Sequence, residues 1–400
     1  MKNQELAESK LKKYKQEHII DTINQLDGVK KQELINQVLQ IDFDEITKLY
    51  QKTKIKDTIN SNKITPIEYI DKEKISKNEK EELQKIGEQI IKKDEYAVVT
   101  MAGGQGTRLG FDGPKGTFKL DIGENGKYIF EILTENLRKA KKLYNTLPYW
   151  YIMTSVQNNR QTVEFFEEHK YFGYDKEKVK FFKQGTIPMV TEQGKLVIED
   201  NNIKTASNGN GGVYLALKKE KMIEDMKSKN IKFVYICGVD NIMVNPIDPI
   251  FIGLTINNNM QIASKSVVKA YPEEKVGVFC KRDGKPGIVE YIELSEEMRH
   301  KCNDIGELVY GEANIISHLL TIEAIEKIAN QNLEYHLAIK KGLYKFETFI
   351  FDGFKYLSDM LVMRVKRDEE FAPIKNKEGI DSPETAKKIY ERNLTKNGRN

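Results

Sequence analysis

The chain has 400 residues, enough for one large core and a second, smaller one. Its 64 basic and 60 acidic residues leave a formal charge of +4, and the two signs are interspersed, which excludes the strong basic field that a nucleic-acid partner requires. Three scattered cysteines with no C-x-x-C pair exclude a disulfide framework and a zinc site, and no stretch reaches the roughly 18 to 20 apolar residues of a membrane span.

The N-terminal stretch MKNQELAESKLKKYK is charged throughout and lacks the apolar core of a signal peptide, so a cytoplasmic protein is expected. Residues 1–93 read as a helical region. Ile19, Ile20, Ile23 and Leu26, then Leu34, Ile35, Val38 and Leu39, recur at helical spacing among Lys, Glu and Gln. ITPIEYIDKEKIS, around Pro66, reads as the connection to a region of different period.

From Tyr96 the period changes to strand, loop, helix, strand. AVVTMAGGQGTRLGFDGPKG, residues 97–116, is an apolar run that stops in glycines and two cations. A Walker loop needs G-x-x-x-x-G-K-[ST], but Lys115 follows Pro114 and precedes Gly116; a dinucleotide fingerprint fails because Leu109 stands where the third glycine belongs. Gly103, Gly104, Gly106 and Gly110 remove side chains where backbone amides meet a ligand, and with Arg108 and Lys115 they point to an anion carrying several phosphates. The alternative is a tight strand-to-loop turn.

YWYIMTS (149–155), a helical QTVEFFEEHK, KVKFFKQG (178–185), a helix over about 212–229 and IKFVYICGVDN (231–241) continue the alternation. It specifies an α/β fold: a Rossmann-like, mixed, mainly parallel sheet flanked by helices, with ligands at the carboxyl ends of the strands. SNGNGG, 207–212, brings glycines into a helix start, where amides suit a phosphate, sugar or base edge; polar capping alone is the other reading. Asp240 ends an apolar strand, and a carboxylate there suits Mg²⁺ shared with substrate phosphates, or else forms a turn with Asn241. After Met260 strands follow in closer succession, QIASKSVV, VGVFCKR and GIVEYIEL, as a mixed-sheet extension. His318 falls in NIISHLLTI, which reads as a helical apolar run with a core histidine, and the other histidines, at 18, 169, 300 and 336, have no metal-ligand partner at i+4. Ser382-Pro383-Glu384 has the chemistry of a helix start. Cations, glycine amides and one metal carboxylate without an activated nucleophile suffice for nucleotidyl transfer, in which the attacking phosphate is already ionised.

The loop AGGQGTRLG-x-x-x-PKG resembles the signature of the eukaryotic-type UDP-sugar pyrophosphorylases, and within them the UDP-N-acetylglucosamine pyrophosphorylases. PYWYIMTS, EFFEEHKYFGYDKEKVKFFKQGTIPM, NGNGGVY, VDNIMVNPIDPIFIGL, VGVFCKRDGKPGIVEYIELS, FIFDGFKYL and EEFAPIKN are similar to that family's blocks, in its order, from about 97 to 377. The resemblance implies a GT-A-like nucleotide-sugar transferase fold, with an N-terminal helical region 1–93, a catalytic domain 94–377 and a C-terminal helix 378–400. It implies in-line attack of a sugar 1-phosphate on the α-phosphate of UTP, giving UDP-N-acetylglucosamine and pyrophosphate with Mg²⁺. By resemblance Gly103, Gly104, Gln184 and Gly209 hold the nucleotide. Arg108, Lys115 and Lys375 meet the phosphates, and Asp240 holds the metal. Asn210, Gly277, Glu290 and Asn314 belong to the sugar. Phe349 and Phe351, read as alternating on a strand, would wall an acetamido methyl unless they are simply core aromatics.

Three departures stand out. The family's P-D-G-N-G-G becomes Ser207-Asn208-Gly209-Asn210, its N-A-G-N-I becomes Gly311-Glu312-Ala313-Asn314-Ile315, and the chain ends soon after the last block. The first two touch the expected sugar side, and Asn208 in place of the family's Asp leads us to expect UDP-N-acetylgalactosamine as a second product. The third implies that a C-terminal β-rich domain is missing, which leaves the oligomeric state open, a monomer included. A uridylyltransferase using glucose or galactose 1-phosphate and a non-catalytic nucleotide-sugar-binding regulator are the competing readings; retention of Arg108, Lys115, Asp240 and Lys375 argues against the second.

Overall fold

The computed structural model of the chain describes residues 2–53, 64–340 and 342–396. They cluster into two compact units, one drawn from 1–58, 185–212 and 333–349, the other from 59–184, 213–332 and 350–400. The segment 1–93 is shared between them.

In the first unit four helices, α1 (Lys2–Lys13), α2 (His18–Gln25), α3 (Gly28–Gln40) and α4 (Phe43–Lys52), bury the faces that the periodicity marks. Ile19, Ile23, Leu34, Ile35 and Val38 are all buried. Helices this short are marginal alone in water. Their core is completed from far along the chain by Ile187, Val190, Leu196, Ile203 and Phe346. Those residues sit in or beside three two-stranded ribbons: Thr186–Pro188 with Thr205–Ser207, Ile198–Glu199 with Asn202–Ile203, and His336–Lys340 with Leu343–Glu347. A buried amide joins helix to ribbon, Gln16 Nε2 donating to the Gly194 carbonyl at 3.1 Å while its Oε1 accepts from Leu196 N at 2.9 Å.

The second unit is built on a mixed sheet of eleven described strands. The principal ones are β1 (Tyr96–Met101), β2 (Tyr149–Thr154), β3 (Val179–Lys183), β4 (Phe233–Gly238), β5 (Ile262–Val268), β6 (Val278–Arg282), β7 (Lys285–Val289), β8 (Glu312–Thr321) and β9 (Leu361–Arg364). They pair in the order β9, β5, β8, β4, β1, β2, β3, with β6 joined to both β8 and β7. β4, β1, β2 and β3 are parallel, whereas β8 runs antiparallel to β4 and β5. This is the mixed, mainly parallel sheet expected from the alternation. Helices α5 (Lys77–Lys92), α6 (Ile129–Tyr144), α7 (Asn159–Glu168) and α8 (Gly212–Lys219) are joined by Pro249–Asn257 and Pro383–Lys396. Leu83 and Ile91 of α5, Leu133 and Leu137 of α6, Phe251 and Tyr390 share one core with the sheet. Ser76 and Ser382 accept from the amides of Glu79 and Thr385 and so start α5 and the last helix as capping residues.

The register fixes where a ligand can lie. Gly238 faces Met101, Met101 faces Met153, and Thr154 faces Lys183, so the four parallel strands end level. The loops beyond those ends form the ligand crevice of such a sheet.

Local readings change at three places. The helix expected over 212–229 is two helices, Gly212–Lys219 and Met222–Ser228, broken at Lys221, whose φ is +59°. The run around His318 is strand β8, not helix; a central strand covered on both faces shows no polar alternation, so its apolar continuity mimics a buried helix. The strand expected through Phe349 and Phe351 ends at Glu347, and a 3₁₀ helix begins at Ile350, so the alternation that would aim both rings one way does not exist.

Candidate active site

The loop after β1 is folded largely by its own backbone. Lys115 N donates to the Gly104 carbonyl at 3.0 Å, Gly106 N to Gly113 at 2.9 Å and Phe111 N to Gly106 at 3.1 Å. Gly110, at φ +72°, closes the single turn Thr107–Leu109. Asn158, fully buried just before α7, grips the loop: its Nδ2 donates to the carbonyls of Ala102 at 3.0 Å and Gly104 at 3.3 Å, while its Oδ1 accepts from Ser155 N at 2.8 Å. A carbonyl turned to Asn158 is not presented to an anion. Sequence reasoning missed this residue; the signal was Ser155-x-x-Asn158 at a helix start, where Asn158 N also donates to Ser155 Oγ at 3.2 Å.

Gly103 and Gln184 lie side by side. A Cβ on Gly103 would lie 2.5 Å from Gln184 Nε2, so only glycine lets that amide close over the loop. Gln184 is buried and continues the level of β3, its N donating to the Thr154 carbonyl at 2.8 Å. Gly104 faces open space. Arg108 is exposed and Lys115 half-buried, and neither forms an ion pair with a described residue.

Asp240 lies two residues beyond β4, half-buried, with a carboxylate oxygen 2.6 Å from where a Cβ on Gly238 would stand. Asn241, not Asp240, supplies the turn bonds: its Oδ1 accepts from Met243 N at 3.2 Å and Ala372 N at 2.9 Å, and its Nδ2 donates to the Glu370 carbonyl at 2.8 Å. Ile374 N donates to the Asp240 carbonyl at 2.9 Å, which seats Lys375 directly beside this turn. On the other side, Lys377 Cδ is 3.7 Å from a Cβ built on Gly110. Loop 102–117, turn 240–242 and segment 371–377 are thereby gathered at the level strand ends. Among the described residues no group of three or more His, Cys, Asp or Glu forms a metal nest. A cation at Asp240 would therefore complete its shell with phosphate oxygens and water, which suits Mg²⁺.

Gly277, Glu290 and Asn314 form a second cluster in the same unit. Asn314 N donates to the Gly277 carbonyl at 2.8 Å, and a Cβ on Gly277 would lie 3.0 Å from Glu290 Oε1. The Asn314 amide oxygen accepts from Ile316 N at 2.9 Å, where the pairing of β5 with β8 bulges and Ile316 has φ +53°. Glu312, one of the departures, is not held for a sugar: its carboxylate accepts from Ser266 Oγ at 2.6 Å and Arg364 Nε at 3.0 Å, and the Arg364 guanidinium stacks 3.8 Å from the Tyr69 ring centre. Buried on both sides, this pair ties β8 to β5 and β9. Equally unforeseen is Lys265 in β5, fully buried between Asp248 at 2.8 Å and Glu370 at 2.7 Å, where those carboxylates hold its ammonium charged against the cost of burial.

Gly209, Asn210 and Phe349 belong to the first unit, whereas Phe351 belongs to the second. Gly209 has φ +89°, and a Cβ there would lie 2.2 Å from the Thr348 carbonyl oxygen. Gly211 N donates to that carbonyl at 2.9 Å and Thr348 N to the Asn208 carbonyl at 2.8 Å, so the turn 208–211 lies against 348–349. Asn208 is buried with no hydrogen bond to its Oδ1, and the Phe349 ring packs 4.8 Å from that of His336.

Residues 39–380 match the family model described as UTP–glucose-1-phosphate uridylyltransferase. The chain is 37% identical over 94% of its length to UDP-N-acetylglucosamine diphosphorylase 2 of Arabidopsis thaliana, covering 81% of that protein. Its structure is similar to the uridine diphosphate N-acetylglucosamine pyrophosphorylase of Trypanosoma brucei, with a TM-score of 0.83 at 30% identity over 97% of this chain and 84% of that one. With the UDP-glucose phosphorylase of Trypanosoma brucei it shares the fold, at a TM-score of 0.66 and 16% identity over 87% of this chain and 77% of that one.

Proposed function

The chain belongs to the UTP–glucose-1-phosphate uridylyltransferase family, and on that premise we propose that it joins UTP to N-acetylglucosamine 1-phosphate, releasing pyrophosphate and UDP-N-acetylglucosamine. The observation that carries the proposal is the set Arg108, Lys115, Asp240 and Lys375, drawn from three segments to the carboxyl ends of the central parallel strands. A sugar 1-phosphate needs no activation; it needs alignment with the α-phosphate and cover for the charge that develops on pyrophosphate. Arg108 and Lys115 are assigned to the triphosphate and Lys375 to the phosphates being joined and parted. Gln184, Gly103 and Gly104 are assigned to the uridine, and Gly277, Glu290 and Asn314 to the sugar. The catalytic work is assigned to 94–377.

The choice of sugar follows the relatives. Proteins named for N-acetylglucosamine match at 30–37% identity over nearly the whole chain, whereas the solved structure named for UDP-glucose, at 16% identity, shares only the fold. UDP-sugar pyrophosphorylases generally need a divalent metal. Here Asp240 is the residue assigned to hold Mg²⁺, which when bound would offset the negative charge of the phosphates. No described helix is long and apolar enough to cross a membrane, and a cytoplasmic location is part of the same proposal.

The test is pyrophosphate release from UTP with N-acetylglucosamine, N-acetylgalactosamine, glucose and galactose 1-phosphates, with and without chelator. A pocket that gains one acetyl methyl should disfavour glucose 1-phosphate by about 10- to 200-fold in kcat/KM, not exclude it. Turnover of glucose 1-phosphate equal to that of both acetylated sugars would sink the assignment, and full activity in excess chelator would remove the metal.

A further inference from the structure

Lys375 already has an anion. Its Nζ lies 3.1 Å from Asp381 Oδ2, both side chains partly exposed. The loop between them is closed by Asp381 itself, whose carbonyl accepts from Lys375 N at 2.6 Å and Asn376 N at 3.0 Å. Asn376 Nδ2 adds a bond to the Ile380 carbonyl at 2.8 Å, and Asp381 has φ +57°, a backbone that Asp enters more readily than most side chains. One end of this loop is fixed to Asp240 through Ile374 N, and the other to the capped start of the last helix at Ser382. The carboxylate is presented to Lys375 by a frame held at both ends.

We propose that Asp381 is a stand-in anion, which holds the Lys375 ammonium in place before phosphate arrives and takes it back when pyrophosphate leaves; this rests on the reading that Lys375 meets the reacting phosphates. A single carboxylate loses the ammonium to a multiply charged phosphate, but giving up the first pair weakens the second. Asp381 is thus a positioning residue that sets how tightly pyrophosphate is kept.

The experiment is calorimetric titration of inorganic pyrophosphate into the wild type, Asp381→Asn, Lys375→Met and the double variant. Asn keeps the side-chain shape and tolerates the left-handed backbone. Asp381→Asn should bind pyrophosphate about two- to fivefold tighter, the scale of a partly exposed ion pair, and the same change in the Lys375→Met background should do nothing. Equal or weaker binding by Asp381→Asn, an equal effect in both backgrounds, or no pyrophosphate binding by any of the four proteins overturns the proposal. Because the titration reads binding, a failure of uridylyl transfer would sink the activity proposed above and leave this result standing, and the cycle can fail in an enzyme that turns over normally.

Discussion

Arg108 and Lys115 stand on a loop whose shape depends on backbone bonds and on Asn158, not on their own side chains. Removing either cation should therefore leave stability within about 0.5 kcal/mol of the wild type. Turnover should fall by about 100-fold or more, the usual loss for a charge contact realised in the transition state. Steady-state kinetics beside urea denaturation of Arg108→Ala and Lys115→Ala checks both halves, and near-normal rates would make the loop structural. His318 makes the opposite case, a histidine that the chemistry does not use. Its Nδ1 meets Ser264 Oγ at 2.7 Å, its Nε2 has no hydrogen-bond partner, and burial pushes the imidazole down to about 3. The unfolded chain takes up that proton near 6.5, so the stability tied to neutral His318 is complete above 6.5 and drains away as pH falls from there toward 3. At pH 5 the loss from this group is about 2 kcal/mol. Between pH 7 and 5 the urea midpoint of the wild type should fall further than that of His318→Leu, by the equivalent of about 2 kcal/mol; equal falls would show that the imidazole binds its proton as readily in the fold as out of it.

Among the elements, α5 and the helix Pro249–Asn257 meet backbone to backbone. A Cβ on Gly87 would lie 2.0 Å from the Pro249 carbonyl oxygen, and one on Gly253 would lie 1.9 Å from that of Leu83. Alanine at Gly87 gains about 1 kcal/mol of helix propensity, but no rotamer relieves a clash with main chain. Separating the helices opens the contacts of Leu83 and Phe251 with the shared core. Gly87→Ala and Gly253→Ala should each lower stability by about 2 kcal/mol or more, and less than additively together, since the first already parts the helices. Thermal unfolding of the three variants measures this, and a stabilised Gly87→Ala would mean that the crossing is looser than described. Both glycines are plain in the sequence, yet nothing in IGEQ or FIGL says which carbonyl lies above them. The same holds for β8, where apolar continuity gave no hint of a strand, and for Phe349, whose strand stops two residues early.

At the scale of the whole molecule, the periodicity of α2 and α3 is visible in the sequence but the core they share with α1 and α4 is not, because Ile187, Val190, Leu196 and Phe346 close it from the far side of the chain. A peptide of residues 2–53 should accordingly show little helix by circular dichroism and no cooperative melt; a sharp thermal transition in the isolated peptide would mean that these helices need no ribbon. By itself the sequence determined the alternation of strands and helices and the place of the glycine loop at the end of β1. Each of these is written in neighbours a few positions apart. Only the tertiary structure decided that Asn158 grips the loop, that Glu312 is spent on Arg364, that Lys265 lies between two carboxylates, and that Lys375 waits on Asp381. Most of these partners lie tens to more than a hundred positions apart, and a hydrogen bond or ion pair depends on distance in space, which spacing along the chain does not carry.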